Sequence, residues 1–244
     1  MKIKYGLLFA VGFILFILLF NAANLSKNER ITSFFNKNVS EQGNYATMLI
    51  PAVDDKGVGI ITNLTVQVKP GSGRSLVDIN DLFFWVDTQN SIRTAKDVAE
   101  KFTGTGLQNY DIIYSIVTNA SAVEGPSAGA ALTIATIAAL ENKNLRRDVL
   151  ITGTINPDGS IGKVGDVAQK AAAAKNFNAT IFLVPAGQSL QTTNGYEKTC
   201  KTYLISKFCS SQWKTKNINL EKENGIKVIE VKDIKDAINY MVVK

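Results

Sequence analysis

An almost unbroken apolar run from Tyr5 to Phe20 dominates the N-terminal part of this 244-residue chain. A membrane-spanning helix needs about 20 mostly apolar residues, and ~17 is the lower limit. A cleavable secretory signal has a shorter apolar region and small residues at positions −3 and −1 of the cut, whereas LFNAAN places Phe20 or Asn21 at −3. We therefore expect residues 1–23 to form an uncleaved transmembrane signal-anchor, with a removed signal peptide as the alternative.

The charges around this run predict its orientation. Lys2 and Lys4 precede it, and the positive-inside rule then places the rest of the chain outside the cytoplasm. Lys27 and Arg30 on the far side oppose this orientation. The polar, asparagine-rich segment 24–44 is typical of a tether. The sequence thus predicts a single-pass membrane protein with an extracytoplasmic domain.

The composition excludes several classes of protein. Hydrophobic residues make up 45% of the chain and charged residues 20%, which is typical of a globular domain. The net charge of +6 comes from scattered lysines without a basic run, so nucleic acid is not an expected partner. The chain has no histidine and no G-x-x-x-x-G-K-S/T phosphate loop. We therefore expect no cofactor, no metal ion and no ATPase module.

Strand and helix patterns mix along residues 45–244 without the strict alternation of a doubly wound sheet. Two apolar stretches joined by the turn at 54–57 predict a β-hairpin, and residues 127–142 and 164–177 have helical patterns. An α+β or mixed α/β domain is therefore expected. The polar segment 186–224 is expected to be a surface excursion from it.

The two cysteines lie in this excursion. Cys200 and Cys209 are close in sequence, and an even number of cysteines in an exported chain indicates a disulfide. A pair of buried thiols is the alternative.

Small residues surround one serine in the stretch AVEGPSAGAAL. Ser127 follows Gly125 and Pro126, and Gly129 lies two residues after it. The pattern fits either a closely packed helix start or a nucleophile held on bare backbone. A serine nucleophile usually depends on a histidine base, which this chain cannot supply. A lysine can replace it only if burial lowers the pKa of its amine from about 10.4.

Lys170 is the best candidate for such a base. On a helix, Val167, Ala173 and Ala174 would share its face and shield the amine from water. The alternative is an ordinary solvated helix lysine.

Taken together, these segments resemble the matching segments of a known peptidase family. EGPSAGAA, the pair TG at 152–153 and GSIGKVGDVAQKAAAAK resemble the proteolytic domain of the Lon family, the S16-type peptidases with a Ser/Lys dyad. Thr152 lies 25 residues after Ser127, and Lys170 lies 43 residues after it, in the order and at the separations of that family. The similarity covers about residues 45–185.

The resemblance implies a role for each matching residue. Ser127 would be the nucleophile, Lys170 the general base, and Thr152 the residue that orients the lysine by a hydrogen bond. Backbone N–H groups around Ser127 would form the oxyanion hole. Family membership also implies a polypeptide substrate and a homo-oligomer, in the form of a hexameric ring. The residues expected to shape the serine loop are Glu124, Gly125, Pro126 and Gly129.

Two substitutions depart from the family pattern. Asp166 replaces an expected glycine, and Gln169 replaces the usual acidic residue. A carboxylate four residues before Lys170 would either keep the amine protonated or point into solvent.

The sequence therefore predicts a membrane-anchored, ATP-independent serine endopeptidase that hydrolyses unfolded or flexible polypeptides. Two alternatives remain at this stage. One is a non-catalytic Lon-fold module for binding or assembly, and the other is a processing protease dedicated to one partner.

Overall fold

The computed structural model of the chain describes residues 43–78, 86–118, 125–203 and 206–243. These residues belong to one compact unit, Gly43–Lys244. The expected transmembrane segment 1–23, nearly all of the tether and Glu124 lie outside the described residues. Within the ranges that are described, no helix is long and apolar enough to span a membrane.

The first sheet has four strands, in the order β1-β2-β4-β3. They are β1 (Asn44–Val53), β2 (Gly59–Pro70), β3 (Ser75–Asp78) and β4 (Tyr110–Val117). Strands β1 and β2 form the predicted antiparallel hairpin, closed by Val53 opposite Gly59. The Asp54 carboxylate closes the turn by accepting the N–H groups of Lys56 and Val58. The hairpin prediction is therefore confirmed.

A helix without a polar face lies against this sheet. Helix α1 (Val86–Thr103) precedes it, and α2 (Gly129–Leu140) is buried along its whole length except for its last residue. A helix that is apolar all round must be enclosed, and α2 packs against α1 and against strands β1 and β2. Its two threonines satisfy their hydroxyls within the helix, as Thr133 donates to Gly129 and Thr136 to Leu132.

The second sheet is parallel. Its strands β5 (Val149–Ile151), β8 (Ile181–Pro185) and β11 (Lys227–Val231) lie in the order β11-β8-β5. The short strands β6 (Thr154–Ile155) and β7 (Ile161–Gly162) form an antiparallel hairpin. The elements that follow are the helices α3 (Val167–Asn176), α4 (Leu220–Asn224) and α5 (Ile234–Met241). Parallel and antiparallel pairing occur together, so the mixed α/β expectation is confirmed.

Segment 186–224 contains a long β-hairpin. Strands β9 (Leu190–Tyr203) and β10 (Ser206–Asn219) pair antiparallel along their whole length. Cys200 lies opposite Cys209, and the two form a disulfide. The predicted disulfide is confirmed, and because both cysteines are exposed, the alternative of buried thiols is wrong.

One buried carboxylate organises the connection between β2 and β3. Asp111 accepts the backbone N–H groups of Ser72 and Arg74, and its second oxygen accepts the Arg74 guanidinium. These hydrogen bonds hold the pKa of the Asp111 carboxyl well below its usual value. Gly71 fits beside it because a Cβ there would collide with the Asp111 side chain.

We predict that Asp111→Asn lowers the thermal midpoint and weakens its dependence on acid pH. A depressed folded-state pKa contributes stability above the unfolded pKa of about 3.9, and this stability is lost as pH falls below it. Thermal unfolding followed by circular dichroism from pH 7 to pH 3 measures both effects. Glu223→Gln, which changes an exposed carboxylate, is the control. An unchanged acid dependence in Asp111→Asn would contradict the prediction.

Candidate active site

The serine loop depends on two glycines for different reasons. Gly125 has φ +93° and ψ 164°, a backbone conformation that is essentially restricted to glycine. Pro126 then begins a 3-10 turn over Pro126–Ala128 that leads directly into α2. At Gly129 an added Cβ would lie 2.7 Å from the backbone nitrogen of Ile155. Only glycine allows the first turn of α2 to approach β6 this closely.

Hydrogen bonds from the end of β5 fix the backbone of the serine. The carbonyl oxygen of Ser127 accepts the N–H of Gly153 at 2.9 Å and the hydroxyl of Thr152 at 3.4 Å. The N–H of Ala130 donates back to the carbonyl of Gly153 at 3.0 Å. These reciprocal bonds tie the start of α2 to the parallel sheet.

Thr152 hydrogen-bonds the serine turn, and its expected role in orienting Lys170 stays a prediction. Its fully buried hydroxyl donates to the Ser127 carbonyl, and no hydrogen bond between Thr152 and Lys170 is found among the described residues. Thr152 directly follows β5, and the backbone of the next residue, Gly153, bonds the serine turn.

Lys170 lies in the first turn of α3 with a side chain that is almost fully enclosed. Only 5% of the residue is exposed, and Val167, Ala173 and Ala174 are buried on the same helix. Its Nζ donates to the carbonyl of Gly165 at 3.1 Å. Burial lowers the pKa of the amine below its usual value, and the Asp166 carboxylate opposes this shift.

Asp166 occupies a backbone position that favours glycine. Its φ of +56° lies in the left-handed region, where glycine is unstrained and other residues are uncommon. The residue is the N-cap of α3, but its side chain makes no capping hydrogen bond. It is exposed and lies beside Lys170.

Ser127 and Lys170 line the same cleft, which has a volume of about 410 Å³. They reach it from separate parts of the chain, the turn before α2 and the first turn of α3. Asp166 also lines the cleft, and its remaining wall is formed by residues 52–55 at the end of the first hairpin. Sequence analysis did not identify this wall, since a turn pattern does not show which distant residues the turn will face.

Comparison with known proteins identifies the domain. The Lon protease (S16) C-terminal proteolytic domain matches residues 88–211, just over half of the chain. This range includes Ser127, Thr152 and Lys170.

Curated relatives agree with this match. The archaeal Lon protease of Methanothermobacter thermautotrophicus is 32% identical over 98 residues, which are 40% of this chain and 15% of that protein. The archaeal Lon protease of Methanocaldococcus jannaschii is 30% identical over 151 residues, 58% of this chain and 23% of that protein. The Lon protease of Phenylobacterium zucineum is 30% identical over 116 residues, 47% of this chain and 15% of that protein.

The chain thus spans 15–23% of the length of these three relatives, in the part that matches the proteolytic domain. The serine turn, the buried lysine and the sequence match all lead to the same conclusion. This chain belongs to the Lon protease (S16) C-terminal proteolytic domain family.

Proposed function

We propose that this chain is an ATP-independent serine endopeptidase that hydrolyses unfolded or flexible polypeptides outside the cytoplasm. The observation that carries the proposal is that Ser127 and the buried Lys170, from separate parts of the chain, line one cleft. The names of the relatives, all Lon proteases, support the reaction class.

In the proposed reaction, the neutral Lys170 amine takes the proton from the Ser127 hydroxyl while the Ser127 oxygen attacks the scissile carbonyl carbon. The tetrahedral intermediate collapses, the peptide C–N bond breaks, and the Lys170 ammonium gives its proton to the leaving amine. Water, deprotonated in turn by Lys170, then attacks the acyl ester and releases the second product. The serine regains its proton from the ammonium.

The developing oxyanion needs N–H donors at the serine turn. The N–H of Gly129 donates to Pro126, and that of Ala130 donates to Gly153, so these two amides are already engaged. A 3-10 turn pairs each N–H with the carbonyl three residues earlier, which engages the amide of Ala128 as well. We therefore assign the oxyanion-hole donor at this turn to the amide of Ser127. Pro126 has no N–H to offer.

We also propose where the protein is located, that it needs no nucleotide, and how it assembles. The apolar run within residues 1–23 supports a membrane anchor, and the exposed disulfide supports an oxidising compartment outside the cytoplasm. No phosphate loop occurs in these 244 residues, which supports a peptidase step that needs no nucleotide. Assembly into a hexameric ring follows from the family resemblance alone.

The dyad predicts an unusual result for a conservative substitution. Lys170→Arg should reduce kcat/KM by about a hundredfold or more, as severely as Lys170→Ala, because a guanidinium cannot give up its proton at a usable pH. Ser127→Ala should abolish both turnover and labelling by a fluorophosphonate probe. Hydrolysis of an unfolded protein is measured, with circular dichroism as the folding control. Near-native rates in Lys170→Arg would exclude Lys170 as the base.

We predict that replacing Asp166 shifts the pH dependence of the peptidase activity. Activity should rise with pH through the pKa of Lys170, because only the neutral amine is a base. Removing the Asp166 charge in Asp166→Asn destabilises the ammonium, so the rising limb should move to lower pH; Asp54 and Asp55, which also line the cleft, keep their charges. Asparagine tolerates the left-handed backbone of this position.

Asp87→Asn, an exposed carboxylate in the first turn of α1, is the matched control and should leave the limb in place. An unchanged profile in Asp166→Asn would show that this carboxylate does not act on Lys170.

Membrane anchoring predicts the fractionation of the full chain. It should stay in the membrane pellet after extraction with alkaline carbonate, since a spanning helix is held by the hydrophobic effect and not by charge. In intact cells with a permeable envelope, added proteinase should degrade the domain. Release by carbonate, or protection of the domain from proteinase, would refute the anchor or the orientation, respectively.

A further inference from the structure

A second cavity, of about 400 Å³, adjoins the catalytic cleft. Asp54 at the end of the first hairpin lines both cavities. The second cavity continues between the start of β2 and the C-terminal end of α3. Its walls are mainly apolar and include Ile60, Ile61, Ala173, Asn176 and Phe177.

The two cavities lie along one face of the same helix. Lys170 lines the first cavity, and Ala173 and Phe177 line the second. Residues at i, i+3 and i+7 share a helix face, and seven residues of helix span about 10 Å. An extended polypeptide covers that distance in about three residues.

The close packing of α3 on the hairpin fixes this arrangement. An added Cβ at Gly59 would lie 2.1 Å from the carbonyl oxygen of Gln169, so the strand and the helix touch where Gly59 lines the second cavity. Beyond this contact, Phe177 leaves 53% of its surface exposed. Covering this exposed aromatic ring and the two partly buried isoleucines with an apolar group would remove apolar surface from water, which is favourable.

We propose that the second cavity is a subsite for a large apolar side chain, carried by the substrate about three residues from the scissile bond. The inference rests on the proposed peptidase function. The occupant is a polypeptide because the cavity shares Asp54 with the cleft that Ser127 and Lys170 line. Folded proteins bury most of their large apolar side chains, so this subsite would itself select unfolded polypeptides.

The first test maps cleavage sites. The full chain in lipid nanodiscs digests reduced, carboxymethylated serum albumin, and the new termini are identified by mass spectrometry. Apolar residues should be enriched about three positions from the cut, on one side only. Cleavage without any enrichment at two to four positions on either side would overturn the subsite while leaving the peptidase function intact.

The second test fills the subsite. Asn176→Trp places a large ring into the cavity from an exposed position, without disturbing the core. The best-cleaved peptide is compared with its alanine counterpart at the enriched position. The variant should lower kcat/KM for the apolar peptide by about tenfold or more, the worth of one buried apolar side chain, and leave the alanine peptide unchanged. Equal effects on both peptides would overturn the proposal.

Lys175→Trp is the control, since this neighbouring residue is exposed and lines neither cavity as the described residues define them. It should behave as the unmodified chain towards both peptides. A loss of selectivity in this variant equal to that of Asn176→Trp would show a general effect of an added ring.

A binding measurement separates the subsite from the reaction. The Ser127→Ala chain binds fluorescein-labelled carboxymethylated albumin, and fluorescence anisotropy gives Kd with and without Asn176→Trp. If the unmodified chain cleaves nothing but Asn176→Trp still weakens binding about tenfold or more, the subsite stands and the proposed function fails. If Kd does not change, the subsite is refuted, whatever the activity.

Discussion

The pairing between the Ser127 carbonyl and the residues after β5 is the contact on which the site depends. Helix α2 has no polar face, so hydrophobic burial alone would allow it to slide or rotate within its enclosure. The bonds from Gly153 and Thr152 to Ser127, and from Ala130 back to Gly153, fix its first turn in register with the parallel sheet. The serine hydroxyl therefore stands on backbone that is held as firmly as the core.

Two opposing effects act on the pKa of the buried Lys170 amine. Enclosure by small apolar side chains lowers the pKa of Lys170, whereas Asp166 raises it. Asp166 also accepts a left-handed backbone that glycine would adopt without strain. This chain thus has an unfavourable residue at a position where it meets both the backbone turn and the catalytic cleft. The side chain at this position therefore bears on the charge around the amine as well as on the backbone of the turn.

The sequence predicted what depends on neighbouring residues and missed what depends on distant ones. The first hairpin, the apolar helix α2 and the spacing of Ser127 and Lys170 follow from local patterns. The parallel pairing of β5 with β8 and the hydrogen bond from Thr152 to the Ser127 carbonyl depend on contacts between remote segments. The long hairpin of β9 and β10 was expected only as a polar excursion, although its threonines and aromatic residues favour strands. Its described side chains at 198–200 and 208–213 are all exposed, so consecutive residues do not alternate between buried and exposed.

Helix α3 joins the two halves of the proposed function. Its first turn carries the base, and its C-terminal end lines the second cavity. Because a helix has a fixed rise for each residue, the backbone sets the distance between the Cα atoms of Lys170 and of the helix residues that line the apolar subsite. The contact of Gly59 with Gln169 holds the hairpin against the first turn of the helix. A substrate side chain that fills the apolar subsite would therefore place one particular peptide bond beside Ser127. Binding in the subsite would then orient the scissile carbonyl for attack.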